Sequence, residues 1–179
     1  RVAITPLIAK DLIKQGFSVQ VETGAGLNSF FSDENYKEAG ASLTDKNSVY
    51  STSDVLLKVN APQADEIALM KKGAILISFM WAATNPELVS ACANAGISAF
   101  SMDAVPRISR AQKMDALSSQ ANLAGYKAVL MCANALGKIF PMMTTAAGTI
   151  KPAKVVIFGA GVAGLQAIAT AKRLGAIVE

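Results

Sequence analysis

Four polar side chains lie at short intervals in a chain that is otherwise largely apolar. Arg107, Gln112, Asp115 and Ser118 supply a guanidinium, an amide, a carboxylate and a hydroxyl, at steps of five, three and three residues. Such groups can fix a polar ligand by hydrogen bonds. None of them is an obvious nucleophile or an acid–base group that titrates near neutral pH. The spacing therefore predicts a site that holds a ligand and leaves the reaction to another group.

A glycine-rich motif follows about forty residues later. Gly159, Gly161 and Gly164 form the pattern G-x-G-x-x-G between an apolar strand-like stretch and a helix-like stretch of small residues. In this setting the first glycine permits a tight turn, the second lets the backbone approach a pyrophosphate, and the third allows close helix–strand packing. The motif predicts dinucleotide binding, although a tight turn without a ligand would use the same pattern. Together the two motifs predict a site that orients a nicotinamide ring.

The composition excludes several other kinds of function. The 179 residues are 52% hydrophobic, carry a net charge of +4 and include no histidine. Without histidine the chain lacks the commonest metal ligand and the usual general base, so we predict no metal site. The positive charge is modest and spread along the chain, which argues against nucleic-acid binding. Cys92 and Cys132 are isolated in apolar helical contexts, so we expect both in the core of a protein from a reducing compartment.

Helix-like and strand-like segments alternate between Thr5 and Met102. Strands are predicted over residues 17–21, 55–59, 74–79 and 97–102, and helices over 6–15, 32–39, 65–70 and 85–93. Such alternation predicts an α/β fold with an open, doubly wound parallel sheet that is covered by helices on both faces. We assign residues 1–106 to an N-terminal Rossmann-like domain. Trp81 is expected to be a buried loop anchor, with an interface position as the alternative.

The residues after this domain predict a long helix and a second, incomplete unit. Helical spacing extends from Met114 to about Leu136, with Ser109 and Gln112 as a capping box and Asp115 as a rival N-cap. Residues 107–150 comprise the polar run, this helix and a linker of small residues. Residues 151–179 begin a second Rossmann-like unit, which we expect to be truncated because one strand–helix–strand unit cannot bury both faces of its sheet. The abrupt start at Arg1 suggests missing residues there as well.

Two further interpretations of single residues stay open. The alternative to a ligand site in the polar run is a solvated loop and helix start, or a simple pairing of Arg107 with Asp115. Glu179 lies about 20 residues after the glycine turn, the usual distance for an acid that binds the adenine ribose. We expect it to be a strand residue, with the ribose-binding acid lying beyond it. The spacing therefore does not decide between NAD and NADP.

Three segments closely resemble the NAD(H)-binding domain I of proton-translocating nicotinamide nucleotide transhydrogenases: residues 107–126, 140–148 and 155–174. The likeness extends over essentially the whole chain. It implies that the polar run forms a loop over the nicotinamide ring. The implied hydride-transfer residues are Arg107, Gln112 and Asp115. The further implied cofactor contacts are Ile108, Ser109, Arg110, Ser118, Gly159, Ala160, Gly161, Val162 and Gly164.

The same resemblance implies partners and a location. NAD(H) would bind this chain, and NADP(H) would bind a separate partner domain. The unit would be a homodimer, associated with a transmembrane domain that couples hydride transfer to proton translocation. It would lie peripherally on the cytoplasmic side of the inner membrane, in the bacterial cytoplasm or the mitochondrial matrix. The chain by itself would be inactive.

Alanine dehydrogenase is the main alternative, because the sequence is also similar to that family. Arg1 and Lys58 stand where that family binds its keto acid, but its histidine is replaced by the stretch Phe79-Met80-Trp81-Ala82. The alternative to a catalytic role is that Arg1 and Lys58 are structural remnants paired with nearby acids. Interconverting a keto acid and an amino acid moves protons, whereas hydride transfer between two nicotinamide rings needs proximity, orientation and exclusion of water. A domain that binds NAD without turnover is the third possibility.

Overall fold

A computed structural model of residues 1–179 divides into two compact units, Arg1–Pro106 and Arg107–Glu179. The helices are α1 (Pro6–Lys14), α2 (Asp33–Glu38), α3 (Lys46–Thr52), α4 (Ala64–Leu69), α5 (Pro86–Asn94), α6 (Ala116–Ala135) and α7 (Val162–Arg173). The strands are β1 (Gln20–Glu22), β2 (Ser42–Thr44), β3 (Val55–Leu57), β4 (Ile75–Ser78), β5 (Ser98–Ser101), β6 (Met143–Thr145), β7 (Gly148–Ile150), β8 (Lys154–Val155) and β9 (Ile177–Val178). Short 3-10 helices cover Leu27–Ser29, Met102–Ala104 and Ser109–Met114.

Parallel strands make up the sheets of the first unit, which confirms the predicted α/β fold. β1 pairs with β2, and β3, β4 and β5 form a separate three-stranded sheet in that order. Four of the five strands were predicted, although β1 begins three residues later than expected. β2 and α3 were not predicted, because β2 spans three residues and Asp45, the N-cap of α3, follows it at once.

Two hydrophobic cores stabilise this unit. In the smaller core, Ala9 of α1, Val21 of β1 and Tyr36 of α2 pack together, and the Tyr36 hydroxyl donates to the carbonyl of Ile4 at 2.8 Å. As predicted, α1 begins with Thr5 as its N-cap and a proline in the first turn, where the missing N–H of proline costs nothing. The capping residues of α1 and the packing of its Ala9 in the core therefore favour the same helix.

The larger core lies against one face of the β3–β4–β5 sheet. Leu56 and Leu76 are buried in it together with residues of α3, α4 and α5. The opposite face exposes Val55, Leu57 and Phe100, of which Phe100 is 60% exposed. The expectation that helices of this chain cover both faces is therefore wrong for this sheet.

In the second unit, the N-cap of α6 is Asp115 and not Ser109. The Asp115 carboxylate accepts a hydrogen bond from the Ser118 backbone N–H, as an N-cap does. Residues Ser109–Met114 form a 3-10 helix without a side-chain cap, so the predicted capping box of Ser109 and Gln112 is wrong and the rival cap is confirmed. The long helix itself ends at Ala135, close to the predicted position.

Close packing of α6 on α7 organises this unit. A Cβ atom on Gly125 would lie 2.1 Å from the carbonyl oxygen of Ala163, so only glycine allows this approach. Val129 is buried one turn later, in a core with Phe140, Ala153 and Ala171. α7 is followed by β9, which pairs in parallel with β8. The strand, glycine turn, helix and strand predicted for residues 151–179 are therefore present.

The linker of small residues expected at the end of the segment 107–150 contains a hairpin that was not predicted. β6 and β7 are antiparallel, and the hydroxyls of Thr144 and Thr149 lie 3.1 Å apart across them. All six strand residues are exposed. No helix of the chain combines the length and apolar character needed to cross a bilayer.

Two side chains expected to be buried are exposed instead. Cys92 is buried as predicted, but Cys132 is exposed on α6. Trp81 is 50% exposed and stacks on Phe79, with ring centroids 6.1 Å apart. The expectation of a buried loop anchor is therefore wrong. Trp81 lies in a turn beyond the carboxyl end of β4, the central strand of its sheet, and not within the core.

Candidate dinucleotide-binding site

In the glycine turn after β8, each of the three glycines occupies its position for a different structural reason. Gly159 has φ +96, a left-handed conformation that side chains rarely adopt. A Cβ atom on Gly164 would lie 1.9 Å from the Gly159 carbonyl oxygen, so the start of α7 packs directly on the turn. At Gly161, by contrast, an added Cβ would meet no atom within 4 Å. No contact within the protein requires glycine at position 161. The open space beside Gly161 fits the close approach of a ligand to the backbone.

The N-terminus of α7 can bind an anion. Gly161 is the residue before the helix and provides no side-chain cap. The first N–H groups of a helix have no partner within it, and the helix dipole favours negative charge there. The helix extends over 12 residues, long enough for a full set of aligned peptide dipoles. The open turn and these amides together fit the pyrophosphate of a dinucleotide.

A groove of about 360 Å³ joins this turn to the polar run. Arg107 and Ser118 line it from the polar side, and the glycine turn lines it from the other. The full lining comprises Arg107, Leu117, Ser118, Ala121, Phe158, Gly159, Gly161, Val162, Ala163 and Gly164. Arg107 is the only ionisable side chain in this set. The two motifs predicted separately thus share one surface.

Asp115 holds Ser118 in place. Its carboxylate accepts the Ser118 N–H at 2.9 Å and the Ser118 hydroxyl at 2.6 Å. These hydrogen bonds, the hydroxyl first, lower the pKa of Asp115, and the positive charge of Arg107 adds to the effect. Arg107 and Asp115 do not form a direct ion pair. The alternative that these two residues simply pair with each other is therefore not realised.

Other predicted residues lie outside the groove. Ile108, Ser109, Arg110 and Gln112 are exposed on or beside the 3-10 helix that precedes α6, and none of them lines the groove. Ala160 is exposed in the glycine turn but is also absent from the lining. Their roles as cofactor contacts stay predictions.

Sequence reasoning missed four lining residues: Leu117, Ala121, Phe158 and Ala163. Leu117 and Ala121 are one helical turn apart and lie on the α6 face that includes Gly125, a spacing that could have identified them. The sequence gives less indication that Phe158 lines the groove. Its position predicts the last residue of an apolar strand, yet its side chain is 96% exposed.

The ammonium group of Lys58 contacts other side chains of this chain. Its Nζ lies 2.9 Å from Glu66 Oε1 and 3.0 Å from the Tyr50 hydroxyl, and Lys46 contacts the same Glu66 oxygen at 2.9 Å. The interpretation of Lys58 as a lysine paired with a nearby acid is confirmed, whereas exposed Arg1 forms no ion pair. Burial by itself raises the pKa of Glu66. The hydrogen bonds from the Gln63 N–H and from the two lysines outweigh this effect and lower the pKa to about 2.

Glu179 is also paired. Lys154 at the start of β8 donates to its carboxylate at 3.1 Å, and its backbone bonds to Val155 and Ile157. Glu179 thus continues the β8–β9 pairing, as expected for a strand residue.

Comparison with known proteins identifies the family. Models of the alanine dehydrogenase/PNT N-terminal and C-terminal domains match residues 1–124 and 128–179. The chain is 51% identical to the NAD(P) transhydrogenase subunit alpha of Haemophilus influenzae over 179 residues, which are 100% of this chain and 35% of that protein.

Solved structures agree with this match. A crystal structure of transhydrogenase from Sinorhizobium meliloti superposes with a TM-score of 0.96 at 52% identity, covering 99% of this chain and 53% of that one. An L-alanine dehydrogenase structure gives a TM-score of 0.82 at 28% identity, covering 98% and 49%. The chain thus spans between a third and about half of the length of these relatives. It belongs to the alanine dehydrogenase/PNT family.

Proposed function

We propose that the chain is the NAD(H)-binding part of a proton-translocating NAD(P) transhydrogenase. One observation carries the proposal: a single groove joins Arg107 and Ser118 to the glycine turn, with no group in it that titrates near neutral pH. Such a groove suits a reaction that requires a nicotinamide ring to be held still. The greater identity to transhydrogenases than to alanine dehydrogenases supports the same choice.

The two sides of the groove have different tasks. The backbone amides at the start of α7 would hold the pyrophosphate of NADH, with Gly161 leaving room for it. Arg107 and Ser118 would fix the nicotinamide end by hydrogen bonds, and Asp115 would orient the Ser118 hydroxyl. When bound, NADH supplies the hydride. The chain then contributes orientation and exclusion of water, which are the requirements of direct hydride transfer.

The remaining parts of the proposal concern partners. NADP(H) would bind a separate domain that brings its ring to this groove, and a transmembrane domain would couple the transfer to proton movement. The chain would function as a homodimer, peripheral to the membrane on its cytoplasmic or matrix side. The name of the Haemophilus influenzae relative, a subunit alpha, supports an assembly of several components.

The state of Lys58 argues against amino-acid dehydrogenation. A lysine that binds a keto acid must offer its charge to the substrate, but the Lys58 ammonium already contacts Glu66 and Tyr50. The absence of histidine removes the usual group for the proton transfer that this reaction needs.

A hydride-transfer assay tests the proposal. The intact enzyme, with its NADP(H)-binding component, should transfer hydride from NADH to an NADP⁺ analogue. Arg107→Ala and Asp115→Asn should slow the transfer step by about 10- to 100-fold, because small misplacements of reacting groups have effects of that size. Their effect on the Kd for NADH should be smaller. Lys113→Ala is a matched control, since Lys113 is exposed on the 3-10 helix between Arg107 and Asp115 and does not line the groove.

Two results would reject the proposal. Oxidation of NADH that depends on pyruvate and ammonia would identify an alanine dehydrogenase. Tight NADH binding without either activity would identify a domain that binds the nucleotide without turnover.

A separate result would reject the ring-orienting role of Arg107 and Asp115: loss of NADH binding in both variants with unchanged hydride transfer at saturating NADH.

A further inference from the structure

One face of α6 changes its surroundings along the helix. It carries four apolar or small residues at intervals of four: Leu117, Ala121, Gly125 and Val129. Residues four apart are neighbours on a helix surface. Val129 is buried in the core, and Gly125 packs closely on α7. Leu117 and Ala121 are only half-buried and line the groove instead. The face that packs on α7 in one half of the helix is therefore open to the groove in the other half.

The two walls of the groove offer a ligand different surfaces. The turn contributes three glycines, which expose backbone amides and suit a pyrophosphate. The α6 wall contributes side chains: the hydrocarbon groups of Leu117 and Ala121, beside the hydroxyl of Ser118. An apolar surface with a polar group at its side suits a flat ring that carries a polar substituent. All of these residues belong to the unit Arg107–Glu179.

Ser118 indicates which polar substituent fits. Its hydroxyl donates to Asp115 Oδ2 at 2.6 Å, so its oxygen is left to accept a hydrogen bond from a ligand. The carboxamide of nicotinamide has an N–H₂ group that can donate there, whereas an ionised pyrophosphate has no donor. With the carboxamide at Ser118, the attached ring lies against the neighbouring side chains of Leu117 and Ala121.

We propose that Leu117 and Ala121 form a ring seat, an apolar surface that covers one of the two faces of the nicotinamide ring. This inference rests on the proposed function, because it concerns the ring of the same NADH. The ring seat excludes water from the covered face and holds the plane of the ring in one orientation. Hydride transfer to the NADP⁺ ring then occurs from the opposite face, oxidising NADH to NAD⁺ and reducing NADP⁺ to NADPH.

ADP-ribose separates the nicotinamide ring from the rest of the ligand. It keeps the adenosine, the pyrophosphate and the second ribose of NADH but lacks the nicotinamide. A side chain that contacts only this ring should affect the Kd for NADH and leave the Kd for ADP-ribose unchanged. Titration calorimetry on the intact enzyme measures both constants. Saturating NADPH fills the NADP(H)-binding component during the titration and accepts no hydride.

Two substitutions alter the ring seat in opposite ways. Leu117→Ala removes apolar contact and should weaken NADH binding about tenfold, as expected when a hydrocarbon group is lost from an apolar pocket. Ala121→Leu places a bulky side chain where the ring should lie, and should weaken NADH binding at least about tenfold. Both variants should bind ADP-ribose within about twofold of the wild type. If Ala121→Leu does not fold, the Leu117→Ala result decides by itself.

The same helix offers matched controls outside the groove. Leu130 is half-buried like Leu117 but does not line the groove. Ala124 is exposed and is also absent from the lining. Leu130→Ala and Ala124→Leu should therefore leave the Kd values for NADH and ADP-ribose as in the wild type.

Deuterium at C4 of NADH tests whether one face of the ring is covered. NADH is prepared with deuterium in place of one C4 hydrogen, in either configuration. The wild-type enzyme should transfer deuterium to the NADP⁺ analogue from one configuration and hydrogen from the other. Transfer of deuterium from both configurations would show that neither face is covered.

Several binding results would overturn the inference. Equal weakening of NADH and ADP-ribose in Leu117→Ala would place these side chains beside a part of the ligand that both molecules share, such as adenine. Unchanged NADH affinity in Leu117→Ala would show that the ring lies elsewhere. The same loss in Leu130→Ala would reduce the effect to general destabilisation. Failure of the proposed function is distinguishable, because the contrast between NADH and ADP-ribose does not depend on hydride transfer.

Discussion

The Asp115 carboxylate binds both polar groups of Ser118, its backbone N–H at 2.9 Å and its hydroxyl at 2.6 Å. The first bond caps the start of α6, and the second fixes the hydroxyl of Ser118, a residue that lines the groove. The beginning of the helix and the shape of the site therefore depend on the same side chain. Because the hydroxyl proton is committed to Asp115, the oxygen of Ser118 is left to accept a hydrogen bond from a ligand.

Ser118→Ala should weaken NADH binding about three- to tenfold, which corresponds to the loss of one hydrogen bond. Ser119→Ala is the matched control, because the neighbouring Ser119 is exposed and its hydroxyl bonds only to the Asp115 carbonyl. Titration calorimetry with NADH would measure both. Equal effects of the two substitutions would contradict a ligand contact at Ser118.

Two glycines of the turn should respond differently to alanine. Gly164→Ala places a Cβ 1.9 Å from the Gly159 carbonyl and should lower the free energy of unfolding by about 1–3 kcal/mol. Gly161→Ala meets no atom and should change stability by less than about 0.5 kcal/mol. It should nevertheless weaken NADH binding at least tenfold if the pyrophosphate lies there. Urea unfolding and NADH titration of both variants test the contrast, and unchanged NADH affinity in Gly161→Ala would place the pyrophosphate elsewhere.

Glu66 should make the first unit sensitive to acid. Its pKa is lowered from 4.5 to about 2, so its contribution is complete above pH 5 and is lost as the pH falls toward 2. At about 1.4 kcal/mol per pKa unit this amounts to at most about 3 kcal/mol. Glu66→Gln should therefore lower stability at pH 7 and flatten its decline between pH 5 and pH 3.

Denaturant unfolding at several pH values measures this effect. Glu34→Gln is the control, because Glu34 forms an exposed ion pair with Lys37 at 3.2 Å, and such pairs contribute little. An identical decline with pH in the wild type and Glu66→Gln would mean that another carboxylate causes the acid sensitivity.

Gly125→Ala should destabilise the second unit although alanine favours helix. The gain in helix propensity is about 1 kcal/mol, but the new Cβ would lie 2.1 Å from the Ala163 carbonyl oxygen, and overpacking of this kind costs about 1–3 kcal/mol. Gly137→Ala, where the Cβ meets no atom within 4 Å, should not destabilise the protein. Thermal unfolding compares the two, and a Gly125→Ala variant as stable as the wild type would contradict the close helix contact.

Much of the fold could be predicted because its signals are local. Thr5 followed by Pro6 marks the start of α1, and the glycine turn marks the start of α7. β2 and α3 escaped prediction because Ser42–Thr44 and Lys46–Thr52 are short, polar and adjacent, so neither has a full hydrophobic period. The hairpin of β6 and β7 escaped it because all six of its residues are exposed.

The residue types of the candidate site could be predicted, but their assembly could not. Arg107 and Gly161 are over 50 residues apart in the chain, and their approach depends on how α6 packs on α7. That packing rests on Gly125, a residue with no chemistry of its own. Gln112 shows the opposite case. Its side chain suits the site, but its 3-10 helix leaves it exposed and outside the groove.

The contact between Gly125 and Ala163 makes α6 a spacer of fixed length. Ser118 and Gly125 are seven residues apart on one helix, about 10 Å at 1.5 Å per residue. Ala163 belongs to the first turn of α7, where the pyrophosphate is proposed to bind. The rigid stretch of helix therefore sets the separation between the two ends of the groove. We therefore expect a ligand whose ring and phosphates are joined by a longer or shorter connection to fit the two ends of the groove less well.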